Sequence, residues 1–254
     1  MLKLDLSGKI ALVTGGSGQL GRVISRTLAD CGAAVAVHYL NNADRAGALA
    51  DAISSGDSRA MAVQADVCDP VSIEAMRDAV AHELGSPDIV VTNAVQQYNW
   101  ARVLDQDLAD YESQYKTCTL QNALMAKAFA PAMIEKLWGR IIAINTECTM
   151  QCGPTMSAYA AGKGGQDRLL RVLAREIGEH QVTVNQVAPG WMISDSHREA
   201  GTEDQPEYYR NVPLNRRGSD QDIANTVAYL ASDLAGFITG AYIPVCGGNV
   251  MPTV

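Results

Sequence analysis

The chain has 254 residues, 47% hydrophobic and 19% charged, a composition that supports one packed core and excludes a disordered or fibrous protein. Its formal net charge of -8 is offset by no basic run, which argues against a nucleic-acid backbone or an anionic membrane and for a small-molecule partner. Six cysteines, at 31, 68, 118, 148, 152 and 246, have neither the spacing of a metal site nor that of a disulfide framework, and no apolar run reaches the roughly 20 residues of a membrane span.

The opening MLKLDLSGKIALVTGG runs straight into a strand and a glycine turn, without the basic start and cleavage site of a signal peptide, so the cytoplasm is the expected location. Strand-like runs then alternate with segments of helical period: IALVTG, a helix from Gln19, AAVAVHY, a helix over 43–54, RAMAVQADV, a helix led by Pro70, and DIVVTNA. A single long helix over 108–136, GRIIAINT, the helix carrying Tyr159, VTVNQVAPG, a helix over 220–232 and AYIPVCGG complete the series. This rhythm implies right-handed crossovers and a single doubly wound α/β domain over 1–254, its parallel sheet covered on both faces. Ligands of such sheets bind beyond the carboxyl ends of the strands, so the loops after Val13, Val37, Val91, Ile144 and Val187 should converge on one crevice.

The first of these loops, TGGSGQLG at 14–21, joins a strand to a helix whose free N–H groups and positive dipole end suit a pyrophosphate. Farther on, Tyr159 and Lys163 stand four apart and so share a helix face. A phenol with pKa near 10 is a poor acid at neutral pH, and a neighbouring ammonium favours its phenolate. His38, His82, His180 and His197 fall in no metal spacing, are expected at the surface or at helix ends, and leave no metal site in the reading.

The glycine loop, the Tyr159-Lys163 pair, TNAV at 92–95, APGW at 188–191 and VPLNRRG at 212–218 occur in the order seen in short-chain dehydrogenases/reductases. The chain resembles that family's single-domain, 3-oxoacyl-carrier-protein-reductase-like type over residues 9–248, with atypical motifs. The resemblance implies a Rossmann fold, an NAD(P) cofactor and interconversion of an alcohol and a carbonyl, with Tyr159 as general acid/base and Lys163 beside it. It implies cofactor contacts at Gly15, Ser17, Gly18, Gln19, Leu20, Gly21, Tyr39, Asn41, Asp66, Val67, Asn93, Ala94, Tyr159, Lys163, Pro189, Gly190 and Ile193, and a hydroxyl near the carboxamide at Ser194. It also implies a homotetramer, or a dimer.

Four positions depart from the pattern. Gln19 replaces the middle glycine, so its side chain must point away from the phosphates or alter their seat. Val95 replaces a glycine, and a β-branched residue resists φ > 0, so this loop needs another path if glycine geometry is required. Thr146 stands at the serine position, keeping a hydroxyl with a stiffer χ1. Cys118 stands at the catalytic asparagine; it loses the amide and keeps the backbone carbonyl that holds a water on the lysine in relatives.

At the end of the second strand Tyr39 replaces the acid that would bind a ribose 2'-OH, which leans the cofactor from NAD to NADP. Gln96, Tyr98 and Trp191 are expected against a polar or ring-shaped alcohol or ketone, with a lid at about 190–217. Glu147 either binds a substrate hydroxyl or amine or points to solvent, and its charge favours solvent. Two readings remain open: an oxidoreductase, or a relative with weak or no turnover that binds a dinucleotide or metabolite.

Overall fold

A computed structural model describes residues 4–252. Seven parallel strands form one sheet in the order β3-β2-β1-β4-β5-β6-β7. They are β1 (Ile10–Val13), β2 (Ala34–Tyr39), β3 (Ala60–Gln64), β4 (Ile89–Thr92), β5 (Gly139–Ile144), β6 (Val182–Pro189) and β7 (Tyr242–Val245). The principal helices are α1 (Gln19–Asp30), α2 (Ala43–Ser54), α3 (Pro70–Glu83), α4 (Leu108–Gln114), α5 (Gln121–Lys136), the short α6 (Cys148–Gln151), α7 (Ser157–Ile177), α8 (Asp195–Ala200), α9 (Pro206–Tyr209) and α10 (Asp220–Ala231).

Helices on both faces explain why the central strands are apolar throughout. Successive residues of a strand point to opposite faces. Ala11, Val13, Val35, Val37, Val91, Ile142 and Val187 therefore meet Ile24, Leu28, Ile223 and Val227 on one side. Leu12, Ala36, Val90, Ile141, Ala143 and Val184 meet Met76, Met125, Phe129 and Leu170 on the other. Each fully buried Leu, Ile or Phe contributes about 1.5–3 kcal/mol relative to exposure, so the two layers supply most of the drive to fold.

Helix starts follow local chemistry. Asp69 caps α3 by accepting from the Val71 and Ser72 N–H groups, with Pro70 in the first turn. Ser219 and Asp222 close a reciprocal cap on α10. Helix α1 differs, since its N-cap is Gly18 and no side chain satisfies its first turn. Gly21 in that turn is obligatory: a Cβ there would lie 2.1 Å from the Gly15 carbonyl oxygen.

The helix expected over 108–136 is broken into α4 and α5 by a π-helical turn at Tyr115–Leu120. Side chains support the widened turn. The Thr117 hydroxyl donates to the Ser113 carbonyl (2.8 Å), the Gln121 amide to the Thr117 carbonyl, and Asn122 Nδ2 to the Cys118 carbonyl (2.7 Å). Periodicity does not register one extra residue in a turn, and for that reason the sequence reads as continuous helix.

Candidate active site

Past the carboxyl ends of the strands a cleft of about 920 Å³ runs from Leu40, Asn41, Asp66 and Val67 across Gly15, Gly18, Gln19 and Leu20 to Asn93, Ala94, Thr146, Tyr159, Lys163, Pro189 and Gly190. The uncapped N-terminus of α1 faces this cleft, as an anion site requires. Two threads hold the loops. The Thr14 hydroxyl accepts from the Asn93 and Ala94 N–H groups (2.9 and 3.0 Å), and Asn93 Nδ2 returns a bond to the Thr14 carbonyl (3.0 Å).

The second thread is His38, which overturns the expectation of a surface histidine. It is buried on β2; its Nδ1 accepts the Gly15 N–H (2.9 Å) and its Nε2 donates to the Ala65 carbonyl (3.0 Å). This fixes the neutral, Nε2-protonated ring, and burial lowers its pKa from the ordinary 6.5.

Several expected cofactor residues lie off the cleft or are engaged elsewhere. Ser17 is buried beneath the loop and Gly21 packs on Gly15; neither lines the cleft. Tyr39 turns away to pack on the core with α1 and α2, leaving Leu40 and Asn41 on the cleft wall. Asp66 lines the wall while its carboxylate accepts the Cys68 N–H (2.8 Å). Ile193 does not line the cleft, whereas its neighbour Met192 does. Ser194 caps α8, its hydroxyl accepting the His197 N–H (3.1 Å).

The Gln19 side chain is directed to the segment that leads into α8 and to the start of α10. Its amide donates to the Ile193 carbonyl (2.7 Å) and to Asp220 Oδ1 (3.0 Å), and its oxygen accepts the Asp195 N–H (3.1 Å). The β4 loop takes Val95 without strain, since its φ is not positive, and Val95 lines the cleft.

Tyr159 and Lys163 lie on α7, where close packing brings that helix onto the π-helical turn: a Cβ at Gly162 would lie 2.7 Å from the Gln114 carbonyl oxygen and 3.2 Å from Cys118 Cβ. Lys163 is buried, and its ammonium donates to the Ile144 carbonyl (2.6 Å) and Gln166 Oε1 (3.0 Å). Burial lowers its pKa. Burial raises the Tyr159 phenol strongly, and the Thr146 hydroxyl draws it back. The Thr146 oxygen also accepts the Cys148 N–H (3.2 Å). Cys118 is buried; its thiol donates to Gln114 Oε1 (3.6 Å), and burial pushes its pKa up.

A second pocket, of about 540 Å³, adjoins the cleft and shares Thr146, Tyr159 and Gly190 with it. Trp100, Trp191, Tyr208, Met156 and Glu147 form its walls. Trp100 stacks on Tyr98 at 5.5 Å, and both rings lie over Tyr159 at 6.2 and 6.3 Å. Gln96 sits on the cleft side, its carbonyl accepting from Gln114 Nε2 (3.0 Å). Glu147 corrects the solvent expectation: it is only 2% exposed. The Trp191 N–H donates to the Tyr208 hydroxyl (2.8 Å), which donates to Glu147 Oε1 (2.9 Å), while Asn249 Nδ2 donates to Oε2 (3.0 Å). Burial raises the Glu147 pKa and these bonds oppose it.

A family model described as enoyl-(acyl carrier protein) reductase, of the short-chain alcohol dehydrogenase type, matches residues 17–249. The chain belongs to the short-chain dehydrogenase/reductase family. It is 35% identical over 253 residues to the 3-oxoacyl-acyl-carrier-protein reductase FabG of Staphylococcus aureus, covering 96% of this chain and 98% of that protein. It is 34% identical over 252 residues to the FabG of Pseudomonas aeruginosa, covering 98% and 100%. A solved structure of a mutant Serratia marcescens short-chain dehydrogenase/reductase superposes with a TM-score of 0.88 at 31% identity, covering 96% of this chain and 98% of that one. The chain is thus a short-chain dehydrogenase/reductase acting between an alcohol and a carbonyl with NAD(P).

Within this family member, Asn249, Gln166, Asn122 and His38 were not legible as site residues, while Tyr208 was expected only as part of the loop covering the pocket. Only Gln166 carried a local signal, standing three residues after Lys163 on the same helix face.

His38 yields a pH test. Its folded-state pKa lies below 6.5, so between that lowered value and 6.5 the unfolded chain binds more protons, and the stability held by the neutral ring is lost as pH falls through this window. Glu147, with a raised pKa, acts in the opposite sense, so the comparison is with His38→Asn, which lacks the titrating ring. Urea midpoints measured from pH 8 to 5 are expected to fall more steeply in the wild type than in this variant; parallel curves would refute the role given to His38.

Proposed function

We propose that Tyr159 gives the proton to, or takes it from, the substrate oxygen, that Thr146 orients that oxygen, and that Lys163 is the charge that makes Tyr159 usable. The observation that carries this reading is the meeting of the cofactor cleft and the aromatic pocket at Thr146 and Tyr159, with Lys163 buried beneath them. A substrate carbonyl at that junction has two hydroxyl donors beside it.

The cleft fits the cofactor: its length, the uncapped α1 and the loop cradle at Gly15, where a Cβ would come within 3.2 Å of Asn93 and Ala94, all suit a dinucleotide. Bound there, NAD(P) supplies the hydride. Gly15, Gly18 and Leu20 would hold the pyrophosphate, Asp66 and Val67 the adenine, Asn93 and Ala94 the adjoining loop face, Lys163 and Tyr159 the nicotinamide ribose. Pro189 and Gly190 would hold the carboxamide, with Met192 beside them. Leu40 and Asn41 flank the 2'-end without a carboxylate, which supports NADP over NAD.

The FabG relatives are named for a 3-oxoacyl thioester, but here a carboxylate and two indoles line a compact pocket, which supports a polar or ring-shaped alcohol or ketone. Exposed apolar side chains at Leu108 and Tyr115, and at Val172 on α7, support a homotetramer or dimer packed through these helices. Absence of any helix able to cross a membrane among the described residues is consistent with the cytoplasmic reading. A second reading, cofactor binding with little turnover, is favoured by Asn122 Nδ2 on the Cys118 carbonyl, which uses part of the acceptor capacity that holds a water in relatives.

Tyr159→Phe is expected to lower kcat/KM for ketone reduction by about 10²–10⁴ with cofactor affinity retained. Steady-state assays and calorimetry check it, and wild-type protein that binds cofactor but reduces no ketone of a broad panel would favour the second reading. Asn41→Asp should reduce the NADPH-over-NADH preference by about tenfold, through charge repulsion at the 2'-phosphate. An unchanged cofactor ratio would remove Asn41 from that end of the cleft. Light scattering at micromolar concentration is expected to give two or four times the 27.1 kDa chain mass, and a monomer would end the assembly proposal.

A further inference from the structure

Glu147 directly follows Thr146 and lines the aromatic pocket, yet it is 98% withdrawn from solvent, being 2% exposed. Its partners are neutral: the Tyr208 hydroxyl on Oε1 and the Asn249 amide on Oε2, with the Gln151 side chain and the Trp191 backbone also hydrogen-bonded to it. Among the described residues no basic side chain forms an ion pair with it. The two nearby cations are committed elsewhere. Lys163 donates to the Ile144 carbonyl and Gln166 on the cofactor side. Arg217, 4.9 Å from the Trp191 ring, donates to the carbonyls of Trp191, Met192 and Glu203. A buried carboxylate without a counter-charge is costly, and such a group beside a reaction centre implies that the missing charge arrives with the ligand.

The walls agree. Trp100 and Trp191, 49% and 46% exposed, line the pocket, and Tyr208 packs edge-on to Trp191 at 5.5 Å. Indole faces attract cations through the ring quadrupole, most strongly when water is excluded. The hydrogen-bond donors to Glu147 are all uncharged, so they solvate the carboxylate without supplying an opposite charge. We propose that the pocket takes a ketone or secondary alcohol bearing a quaternary or tertiary ammonium group, with Glu147 as counter-charge and Trp100 and Trp191 as aromatic walls. The proposal rests on the reading of Thr146 and Tyr159 as the carbonyl end of the same site. An anionic substrate is repelled by this arrangement, and a hydroxyl alone leaves the charge uncompensated.

The test uses two ketones of equal shape that differ in charge, 5-(trimethylammonio)pentan-2-one and 6,6-dimethylheptan-2-one, assayed with saturating NADPH and NADH. Wild-type kcat/KM is expected to favour the cationic ketone by about tenfold or more, and Glu147→Gln to bring the ratio close to one. Trp191→Leu, at the mouth of the pocket, is expected to lower the ratio by about threefold or more and serves if Glu147→Gln does not fold. Quenching of tryptophan fluorescence in wild-type protein reads binding without turnover, and the cationic ketone should bind more tightly. Turnover of both ketones with no cationic preference, or a preference that survives Glu147→Gln, overturns the inference and leaves the proposed reaction standing. Tighter binding of the cation with turnover of neither ketone supports the inference and sinks the reaction.

Discussion

Parallel pairing of β1 with β4 makes their two following loops leave the sheet side by side, and the Thr14 hydroxyl holds them there by accepting the Asn93 and Ala94 N–H groups. Every other part of the site is placed relative to that clamp. It sets where Gly15 turns, hence where α1 begins and where its unsatisfied N–H groups face. His38, from the next strand over, ties the same turn to the loop after β3. Because these contacts join backbone groups, they fix the floor of the cleft whatever side chains line its walls.

The second organising feature is the burial of charge. Lys163 and Glu147 are both almost fully withdrawn from water and both meet neutral partners, on opposite sides of the junction at Thr146 and Tyr159. Desolvation weakens each charged form, the ammonium pKa falling and the carboxyl pKa rising. Such sites cost stability and persist where binding or chemistry needs a charge in a dry place. Tyr208 from α9 and Asn249 from the turn after β7 both bond Glu147, so two segments distant in the chain meet on this buried carboxylate.

Each departure from the family pattern has a local accommodation. The Gln19 amide, placed where glycine is usual, makes three bonds, to Ile193, Asp195 and Asp220, and so turns away from the loop. Val95 fits because its backbone stays out of the left-handed region. Cys118 packs against Gly162 in a turn widened by one residue, and Asn122 occupies part of the carbonyl that Cys118 retains. Thr146 keeps its hydroxyl at the shared edge of cleft and pocket.

The strands, most helices and the glycine loop were legible because they rest on local regularities: short continuous apolar runs, the 3.6-residue repeat and the backbone freedom of glycine. The Tyr159-Lys163 pair was legible because i and i+4 share a helix face in any tertiary setting. His38 and Glu147 were misread for one reason, that their surroundings come from distant segments, whereas the π-helical turn was missed because one extra residue in a turn leaves the apolar pattern unchanged. Glu147 meets Tyr208 and Asn249, 61 and 102 residues away, and His38 bonds Gly15 and Ala65 on two other loops. The sequence by itself therefore determined the architecture and the chemistry available at the strand ends. Tertiary structure alone decided which charged and polar side chains were buried there, because burial is a property of the assembled walls and not of a residue's neighbours in the chain.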